Sequence, residues 1–286
     1  MRRASDGAAS GGDDVIAMFG AGGKTGRAVE AALAARGLRP DRVRPLVRLG
    51  REGPGERGVD LGDEASVCAA VEGAQVLHVL APNLHPDEVG LVRRAVRAAR
   101  ACGVGRIVYH SVLRPGIRAM PHHWHKLEAE EVLWGSDLDV TVLQPSAYAQ
   151  NLLGCRAGAQ LVVPYSVDVP FSLVDLADVA EVTARVLTEP GHVGASYELA
   201  GQVCSIADLA LRLGLTARRH RPDAAVPADT AQSDAAPADG YPARALQAMF
   251  DWYDRHGLAG NPAVLGLLLG RRPRDPADVL RPHLTP

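Results

Sequence analysis

The sequence predicts an α/β fold in which a doubly wound parallel sheet carries a smaller C-terminal lobe. The chain has 286 residues, enough for one large α/β domain and an attached lobe. From residue 15 to residue 112, short apolar runs alternate with helical patterns, and no hairpin signal interrupts the β-α-β order. A glycine-rich turn at residues 20–26 joins the first strand to the first helix. Together these features favour a parallel sheet with helices on both faces.

The composition argues against several classes of protein. The formal net charge is −2 and charges of both signs are interspersed, so no nucleic-acid partner is indicated. No apolar run approaches the roughly 18 to 20 residues of a membrane span, and the first 14 residues lack the apolar core of a signal peptide. The four cysteines are far apart and lack metal-ligand spacing. We therefore expect a cytoplasmic protein, either a monomer or a homodimer, that binds a small-molecule substrate but no metal and no membrane.

The turn at residues 20–26 has the surroundings of a phosphate-binding site. An apolar strand, Val15 to Phe19, precedes it, and an alanine-rich helix, Ala28 to Arg36, follows it. Glycines let a ligand approach the backbone, and the free N–H groups at a helix N-terminus face its negative charge. The residues expected to hold the pyrophosphate of a nucleotide cofactor are Gly20, Gly22, Gly23, Lys24, Thr25 and Gly26.

The spacing of the glycines distinguishes between three phosphate-binding motifs. A P-loop would need its first glycine at Met18, and the G-x-G-x-x-G motif would need its last at Thr25, so neither fits. The pattern G-x-x-G-x-x-G does fit, through Gly20, Gly23 and Gly26. A bare glycine-rich turn is the alternative, but the flanking strand and helix favour a dinucleotide cofactor.

Arg48 bears on the choice of cofactor. It follows a second predicted strand, Val43 to Val47, whose Pro45 is an awkward residue for a central strand. A cofactor with a free ribose 2′-OH usually meets an acidic residue about 20 residues after the turn. Here a cation stands 22 residues after Gly26, and a guanidinium pairs with a 2′-phosphate. The sequence therefore favours NADP(H) over NAD(H), the alternative being a solvated arginine at a strand end.

The next elements complete the predicted cofactor edge. We expect strands at 59–61, 74–80 and 107–112, a helix from Glu64 to Glu72 capped by Asp63, and a helix from Pro86 to Ala101. His78, within a buried strand, is expected to be a core histidine with satisfied polar atoms. A dinucleotide crosses a parallel sheet at the carboxyl ends of its strands. The further expected cofactor contacts are Asp60, Leu61, Ala81, Pro82 and Asn83.

A helix predicted from His122 to Trp134 carries the most unusual cluster of the chain. His122 and Lys126 are four residues apart, so both project from one face. Three histidines in four residues raise the question of a metal, but no residue at a suitable spacing completes a ligand set. A neutral imidazole beside an ammonium suits hydrogen bonding to a carbonyl or proton transfer. His122 and Lys126 are the candidate catalytic residues, and the expected substrate-side residues are His123, Trp124, Tyr148, Asn151 and Tyr165.

The second half of the chain has shorter elements. We expect a sixth strand at 138–143 near a sheet edge, a helix from Ala147 to about Arg156, strands at 161–165, 171–174 and 196–199, a helix starting at Asp175, a helix at 206–213 capped by Ser205, and helices at 243–256 and 262–269. An Ala/Pro/Asp-rich stretch at 218–240 predicts a flexible linker. The expected organisation is a disordered tail at 1–14, a dinucleotide-binding domain at 15–150, and a mixed segment at 151–286 that completes the sheet and forms the substrate lobe.

Several of these stretches resemble the NmrA-like family of atypical short-chain dehydrogenase/reductases. The resemblance extends from residue 15 to about residue 272, and its specific parts are residues 20–26, 46–48, 122–126, 144–152, 171–180 and 249–262. The G-x-x-G-x-x-G variant is common among short-chain dehydrogenase relatives. The resemblance implies a Rossmann-type fold that binds NAD(P) between the main domain and a small C-terminal substrate-binding lobe.

One departure from the resembled enzymes bears on mechanism. Short-chain reductases use Tyr-x-x-x-Lys, in which the tyrosine gives a proton and the lysine lowers its pKa and holds the ribose. Lys126 matches the lysine, so the resemblance implies a ribose contact, but His122 stands at the tyrosine position. Gln144 stands where relatives often have arginine, which alters the expected substrate pocket.

The sequence therefore predicts an NADP(H)-dependent oxidoreductase, a reductase acting on a small conjugated carbonyl or quinone-like substrate. NADPH would supply the hydride, and His122 or water would supply the proton. Two alternatives stay open. One is a non-catalytic NADP(H) redox sensor or regulator, which the absent tyrosine favours, and the other is a non-redox lyase or isomerase on the same scaffold.

Overall fold

The computed structural model describes residues 14–220 and 240–284. Within these ranges the chain forms thirteen strands: β1 (Ile16–Phe19), β2 (Val43–Arg48), β3 (Arg57–Val59), β4 (Val76–Val79), β5 (Arg106–His110), β6 (Asp139–Pro145), β7 (Ala147–Tyr148), β8 (Arg156–Ala157), β9 (Gln160–Val163), β10 (Phe171–Val174), β11 (Ser196–Leu199), β12 (Gln202–Cys204) and β13 (Thr216–Arg219). The same ranges form nine α-helices: α1 (Lys24–Ala35), α2 (Glu64–Val71), α3 (Glu88–Ala101), α4 (Pro121–Trp134), α5 (Leu176–Thr188), α6 (Ile206–Arg212), α7 (Tyr241–His256), α8 (Pro262–Leu269) and α9 (Pro276–Leu284). The expected N-terminal tail and most of the expected linker fall on residues 1–13 and 221–239, which lie outside the described residues.

Seven strands form one parallel sheet in the order β3-β2-β1-β4-β5-β6-β11. The order reverses between β1 and β4, because the chain first builds outward from β1 on one side and then returns to its other side. In sheets of this kind, ligands bind in the crevice outside the carboxyl ends of the strands at the reversal. The doubly wound, Rossmann-type fold predicted from the sequence is confirmed.

Helices cover both faces of this sheet. α1, α5 and α8 pack on the face to which Met18 and Val108 point, and α2, α3 and α4 pack on the face of Phe19 and Tyr109. Successive strand residues point to opposite faces, so a strand with a helix layer on each side is apolar throughout. This double burial explains the nearly unbroken apolar run of β4.

A smaller lobe follows β6. Two three-stranded sheets, β12-β10-β7 and β13-β9-β8, pack with α6, α7 and α9 around a separate apolar cluster. At its centre the Tyr165 ring stacks on the Phe171 ring with centroids 5.0 Å apart, and Tyr253 of α7 meets both rings edge-on. None of the helices in the described ranges is both long enough and apolar enough to cross a lipid bilayer.

Some element bounds differ from the prediction. β3 ends at Val59, so Asp60 and Leu61 follow the strand and do not belong to it. β6 lies one strand in from the sheet edge, because β11 pairs along its outer side. The helix expected from Ala147 is instead the short strand β7 followed by a 3-10 helix at Ala149–Cys155. That segment contains glycine and asparagine, whose low helix propensity favours tight turns.

Helix starts follow the predicted caps with one shift. The Asp63 side chain accepts hydrogen bonds from two backbone N–H groups of α2, and Asp175 and Ser205 cap α5 and α6 in the same way. α3 begins at Glu88 and not at Pro86, because the Asp87 side chain caps it by accepting from a backbone N–H. This shift places Glu88 in the first turn of α3.

Pro45 lies inside β2 without breaking the sheet. The Leu46 carbonyl accepts from the Ala21 N–H, so the backbone N–H and C=O groups of Leu46 point towards β1. The backbone nitrogen of the preceding Pro45 therefore points to the opposite side, towards β3. On that side β3 begins only at Arg57, opposite Leu46. The N–H that proline lacks would therefore have had no strand partner.

We expect Gly26→Ala to disrupt the turn between β1 and α1. A Cβ at position 26 would lie 2.3 Å from the Gly20 carbonyl oxygen and 2.6 Å from the Ala21 Cα, and these backbone atoms cannot rotate away. The free energy of unfolding, measured by urea titration, should fall by about 1 to 3 kcal/mol. In the matched control Gly23→Ala, the nearest atom to the added Cβ is 3.4 Å away, so the loss should stay below about 1 kcal/mol. Equal losses in the two variants would contradict the steric origin.

Candidate functional site

The turn between β1 and α1 lies at the reversal of strand order. Gly20 has a φ of +71°, which only glycine adopts readily, and a Cβ there would lie 2.7 Å from the Leu80 carbonyl oxygen just after β4. On its other side the Ala21 N–H donates to the Leu46 carbonyl of β2 at 3.3 Å. The turn thus lies between the carboxyl ends of the two strands that flank β1, hydrogen-bonded to β2 and in close contact with Leu80 after β4.

The N-terminus of α1 is suited to an anion. No side chain caps it and its first turn holds no acidic residue, whereas α2, α3, α5, α6 and α8 are each capped by an Asp, Ser or Asn side chain. Lys24 and Thr25 open the helix. Unpaired N–H groups, the helix dipole and a lysine all favour negative charge at this point.

The other expected cofactor residues lie along the same edge of the sheet. Arg48 is exposed as the last residue of β2. Asp60 and Leu61 follow β3, where the Leu61 carbonyl accepts from the Arg94 side chain. Beyond β4, Ala81 is buried and Pro82 and Asn83 are exposed. The predicted cofactor residues therefore lie at the carboxyl ends of β1, β2, β3 and β4, which are consecutive in the sheet.

Lys126 belongs to a buried polar network at the end of β5. Its Nζ lies 2.5 Å from Glu88 Oε1 and donates to the His110 carbonyl oxygen at 3.0 Å. The Tyr109 hydroxyl donates to the same Glu88 oxygen at 2.7 Å. Glu88 has no exposed surface and Lys126 is 5% exposed. Since a buried charge requires a partner, Glu88 neutralises Lys126 within the protein.

His122 lies beside this network, one helical turn before Lys126. It is 4% exposed, and its Nδ1 is 4.0 Å from Glu88 Oε2. Burial holds the pKa of His122 well below the usual 6.5, and the charge of Lys126 lowers it further, followed by smaller effects of His123 and His125. The imidazole is therefore neutral at physiological pH.

Two hydrogen bonds at His110 connect Tyr148 with Lys126. The Tyr148 hydroxyl lies 2.8 Å from His110 Nε2, and the His110 carbonyl accepts from Lys126. Burial raises the pKa of Tyr148, and the nearby Thr25 lowers it by a smaller amount. Tyr148 and Lys126 thus both bond to His110, Tyr148 at its ring and Lys126 at its carbonyl.

The remaining substrate-side candidates are only partly brought together. His123 lies 3.3 Å from the Arg114 carbonyl oxygen through Nδ1 and 3.4 Å from the Tyr253 hydroxyl through Nε2. Since Tyr253 also contacts Tyr165, α7 links these two candidates. The Trp124 ring lies 4.3 Å below the Arg118 guanidinium. Asn151 is exposed on the 3-10 segment of the lobe.

A second buried carboxylate lies one turn further along α4. Glu130 accepts hydrogen bonds from the Ser111 hydroxyl and, at 3.0 Å, from the Gln144 amide. Burial raises the pKa of Glu130, and these hydrogen bonds lower it. At position 144, where the resemblance leads one to expect arginine, a neutral amide therefore satisfies the carboxylate.

Sequence reasoning missed Glu88, Tyr109 and His110. An acidic residue in the first turn of a helix is ordinary, so nothing in the sequence marked Glu88 as buried. Tyr109 and His110 end an apolar strand, and the signal available was their position. Polar side chains at the carboxyl end of a strand next to the reversal of strand order face the ligand crevice.

A known protein family matches most of the length of this chain. The family profile for the NmrA-like family matches residues 12–265. The chain belongs to the NmrA-like family. This confirms the family predicted from the sequence motifs.

Several proteins that are similar to this chain are reductases by name. Quinone oxidoreductase 2 of Escherichia coli (strain K12) is 29% identical over 197 residues, which span 65% of this chain and 68% of the relative. An NAD(P)H azoreductase of Xenophilus azovorans is 30% identical over 170 residues, which span 56% of this chain and 57% of the relative. The crystal structure of an NADPH-dependent quinone oxidoreductase from Escherichia coli, complexed with NADPH, superposes with a TM-score of 0.78 at 25% identity, covering 95% of this chain and 100% of the other.

His78 lies in β4 next to His110, and the prediction that its polar atoms are satisfied is wrong. It has no exposed surface, as expected, but neither ring nitrogen has a hydrogen-bond partner among the described residues. The two rings meet edge-on with centroids 6.0 Å apart. Burial lowers the pKa of His78 to about 4, so it stays neutral in the folded protein over the range in which unfolded histidine becomes charged.

We expect His78→Leu to weaken the pH dependence of stability. The unfolded chain takes up a proton at His78 near pH 6.5 and the folded chain only near pH 4, so stability is lost as the pH falls through this window. The variant lacks this uptake. Between pH 7.5 and pH 5, its free energy of unfolding should fall by about 2 kcal/mol less than that of the wild type. Urea unfolding at the two pH values measures the difference, and equal losses would contradict the assignment.

Proposed function

We propose that this protein is an NADP(H)-dependent reductase of a small conjugated carbonyl or quinone-like substrate. The observation that carries the proposal is that the uncapped start of α1, at the reversal of strand order, and the buried Lys126, at the end of β5, lie at the carboxyl ends of strands of the same sheet. The start of α1 offers backbone N–H groups and a lysine to a pyrophosphate. Lys126, with His122 beside it, offers an ammonium and a neutral imidazole to a ribose and a reacting carbonyl. A hydride-transfer reaction needs both functions within the length of one cofactor.

The residues present fit a phosphorylated dinucleotide. The pyrophosphate would meet the N–H groups of the turn and of the first turn of α1, next to Lys24 and Thr25. Arg48 is the last residue of β2. Two residues before it, the Leu46 carbonyl accepts from the Ala21 N–H, so the backbone of Arg48 lies close to the turn. The Arg48 guanidinium would pair with the 2′-phosphate, since it is positively charged and can donate two parallel hydrogen bonds to phosphate oxygens. When bound, NADPH would supply the hydride.

Lys126 and His122 would serve the reacting end. Two of the three Lys126 donors have partners among the described residues, Glu88 and the His110 carbonyl, which leaves one for a ribose hydroxyl. His122 stands four residues before Lys126, on the same face of α4. As a neutral imidazole it would hydrogen-bond the acceptor or a water that delivers the proton. His123 and Trp124, together with Tyr165 and Asn151 of the lobe, would border the substrate.

The substrate class is supported by the relatives. Quinone oxidoreductase 2 and the azoreductase are named for reducing conjugated acceptors. Such acceptors need a hydride and a proton and no tyrosine-type acid, because the added charge spreads over a conjugated system.

We expect the purified protein to oxidise NADPH in the presence of a quinone. Absorbance at 340 nm would be followed with benzoquinones, naphthoquinones, enones and azo dyes as acceptors, and NADH would replace NADPH in parallel. Turnover with at least one acceptor, and preference for NADPH, would support the proposal. Tight NADPH binding without turnover of any acceptor would overturn it in favour of a cofactor sensor, and conversion of a substrate without net NADPH consumption would favour a lyase or isomerase.

We expect Arg48→Glu to weaken NADPH binding far more than NADH binding. The carboxylate would repel the 2′-phosphate, whereas NADH carries only a hydroxyl there. A loss of about 2 to 3 kcal/mol would raise the NADPH dissociation constant by roughly 30-fold to 150-fold. Arg51→Glu, a nearby charge reversal in the loop after β2, serves as the matched control. The dissociation constants would be measured by fluorescence titration. If Arg48→Glu weakens NADPH binding and NADH binding equally, Arg48 does not bind the 2′-phosphate.

A further inference from the structure

Glu88 is the most thoroughly buried carboxylate of the candidate site, and it organises the residues around it. It has no exposed surface, and it projects from the first turn of α3 towards α4 and the end of β5. Its Oε1 receives the Lys126 ammonium at 2.5 Å and the Tyr109 hydroxyl at 2.7 Å. One carboxylate oxygen is therefore fully engaged, and the side chain is held on two sides.

The other oxygen faces a second atom without a partner. Among the described residues, Glu88 Oε2 and His122 Nδ1 are both buried and both lack a hydrogen bond, and they lie 4.0 Å apart. Buried polar atoms are rarely left unsatisfied, because each loses its hydrogen bonds to water on folding. A shift of about 1 Å would bring these two atoms into hydrogen-bonding range, and such contacts in ligand-free sites are often long.

The charges around His122 determine the form of that hydrogen bond. The imidazole is kept neutral by burial and by Lys126, with His123 and His125 adding smaller effects in the same direction. A neutral ring carries one N–H, and an acceptor-only carboxylate can bond only to the nitrogen that holds it. Facing Glu88, the proton belongs on Nδ1, which leaves Nε2 as an acceptor.

We propose that Glu88 is a positioning residue that holds Lys126 in place and fixes the proton of His122 on Nδ1. It acts through these two residues and does not itself meet the substrate. The consequence deepens the proposed function: with Nε2 an acceptor, His122 receives a hydrogen bond from a water or a substrate hydroxyl. The immediate proton donor to the reduced acceptor is then that water and not the imidazole. The acceptor would gain one hydride from the cofactor and one proton from the water, and bulk solvent would return a proton to the hydroxide that is left.

The tautomer can be measured on the ligand-free protein. We would label the histidines with ¹⁵N and record long-range ¹⁵N–¹H correlations at pH 7.5, assigning His122 by its absence in His122→Gln. The wild type should show a protonated Nδ1 and an unprotonated Nε2. A proton on Nε2 would overturn the proposal, and this reading requires no Glu88 variant and no assumption about the reaction.

Two matched variants separate the charge of Glu88 from its space-filling role. Glu88→Gln keeps the size but removes the charge that neutralises Lys126, so the Nδ1–H form should lose its dominance. Tyr109→Phe removes a neutral hydrogen bond from the same carboxylate but leaves its charge and its pairing with Lys126. We expect the His122 tautomer to change in Glu88→Gln and to persist in Tyr109→Phe. The same change in both variants would indicate packing alone and contradict the positioning role.

A kinetic measurement rests on the proposed function. With NADPH and a quinone, Glu88→Gln should lower kcat by about tenfold or more, because a histidine in the wrong tautomer is a poor partner for proton transfer. The NADPH dissociation constant should change by a smaller factor than kcat, since Lys126 would make one ribose contact whereas the turn between β1 and α1 would make the phosphate contacts. An unchanged kcat would overturn the kinetic role. If the wild type reduces no acceptor, the proposed function fails, while the tautomer measurement still decides the role of Glu88.

Discussion

The turn between β1 and α1 is set by a contact between backbone atoms, since Gly26 lies against the Gly20 carbonyl. This close approach directs α1 back over the sheet, and the N–H groups at its start point to the crevice between β1 and β4. The same turn donates a hydrogen bond to β2 and lies against the residue that follows β4. The carboxyl ends of β1, β2 and β4 thus all lie next to this one short segment. The segment is also at the reversal of strand order, where sheets of this kind bind ligands.

The buried pair of Glu88 and Lys126 sets a second constraint. Two charges in a low-dielectric interior are stable together and unstable apart, so the loss of either partner leaves the other uncompensated. Their helices, α3 and α4, must therefore keep their spacing while the cofactor enters and leaves. This gives the end of the crevice near Lys126 a fixed geometry, whereas Arg48 at the end of β2 is exposed.

The sequence was sufficient for the class of fold and for the glycine turn that joins β1 to α1. Alternation of strands and helices, and the glycine turn, predicted the sheet, and caps such as Asp63 and Ser205 marked helix starts correctly. The sequence was not sufficient to predict the burial of Glu88, because helix periodicity does not reveal which acidic residue forms a buried ion pair with a lysine of another helix. Nor did it reveal the unsatisfied nitrogens of His78, since the pattern of an apolar strand indicates burial and not partners. The two-residue shift of β3 follows from a short strand whose pairing, rather than its composition, determines its bounds.

The position of β11 has a consequence for how the chain folds during synthesis. β11 pairs with β6, with Ser196 opposite Val142, yet β7 to β10 and α5 lie between them in the sequence. The ribosome therefore releases most of the strands of the lobe before the main sheet can be closed. Until then the outer edge of β6, whose residues Val140 to Pro145 are buried in the finished protein, is open to pairing with other chains. The part of the lobe from β7 to β10 is in this sense an insertion between two neighbouring strands of the main sheet.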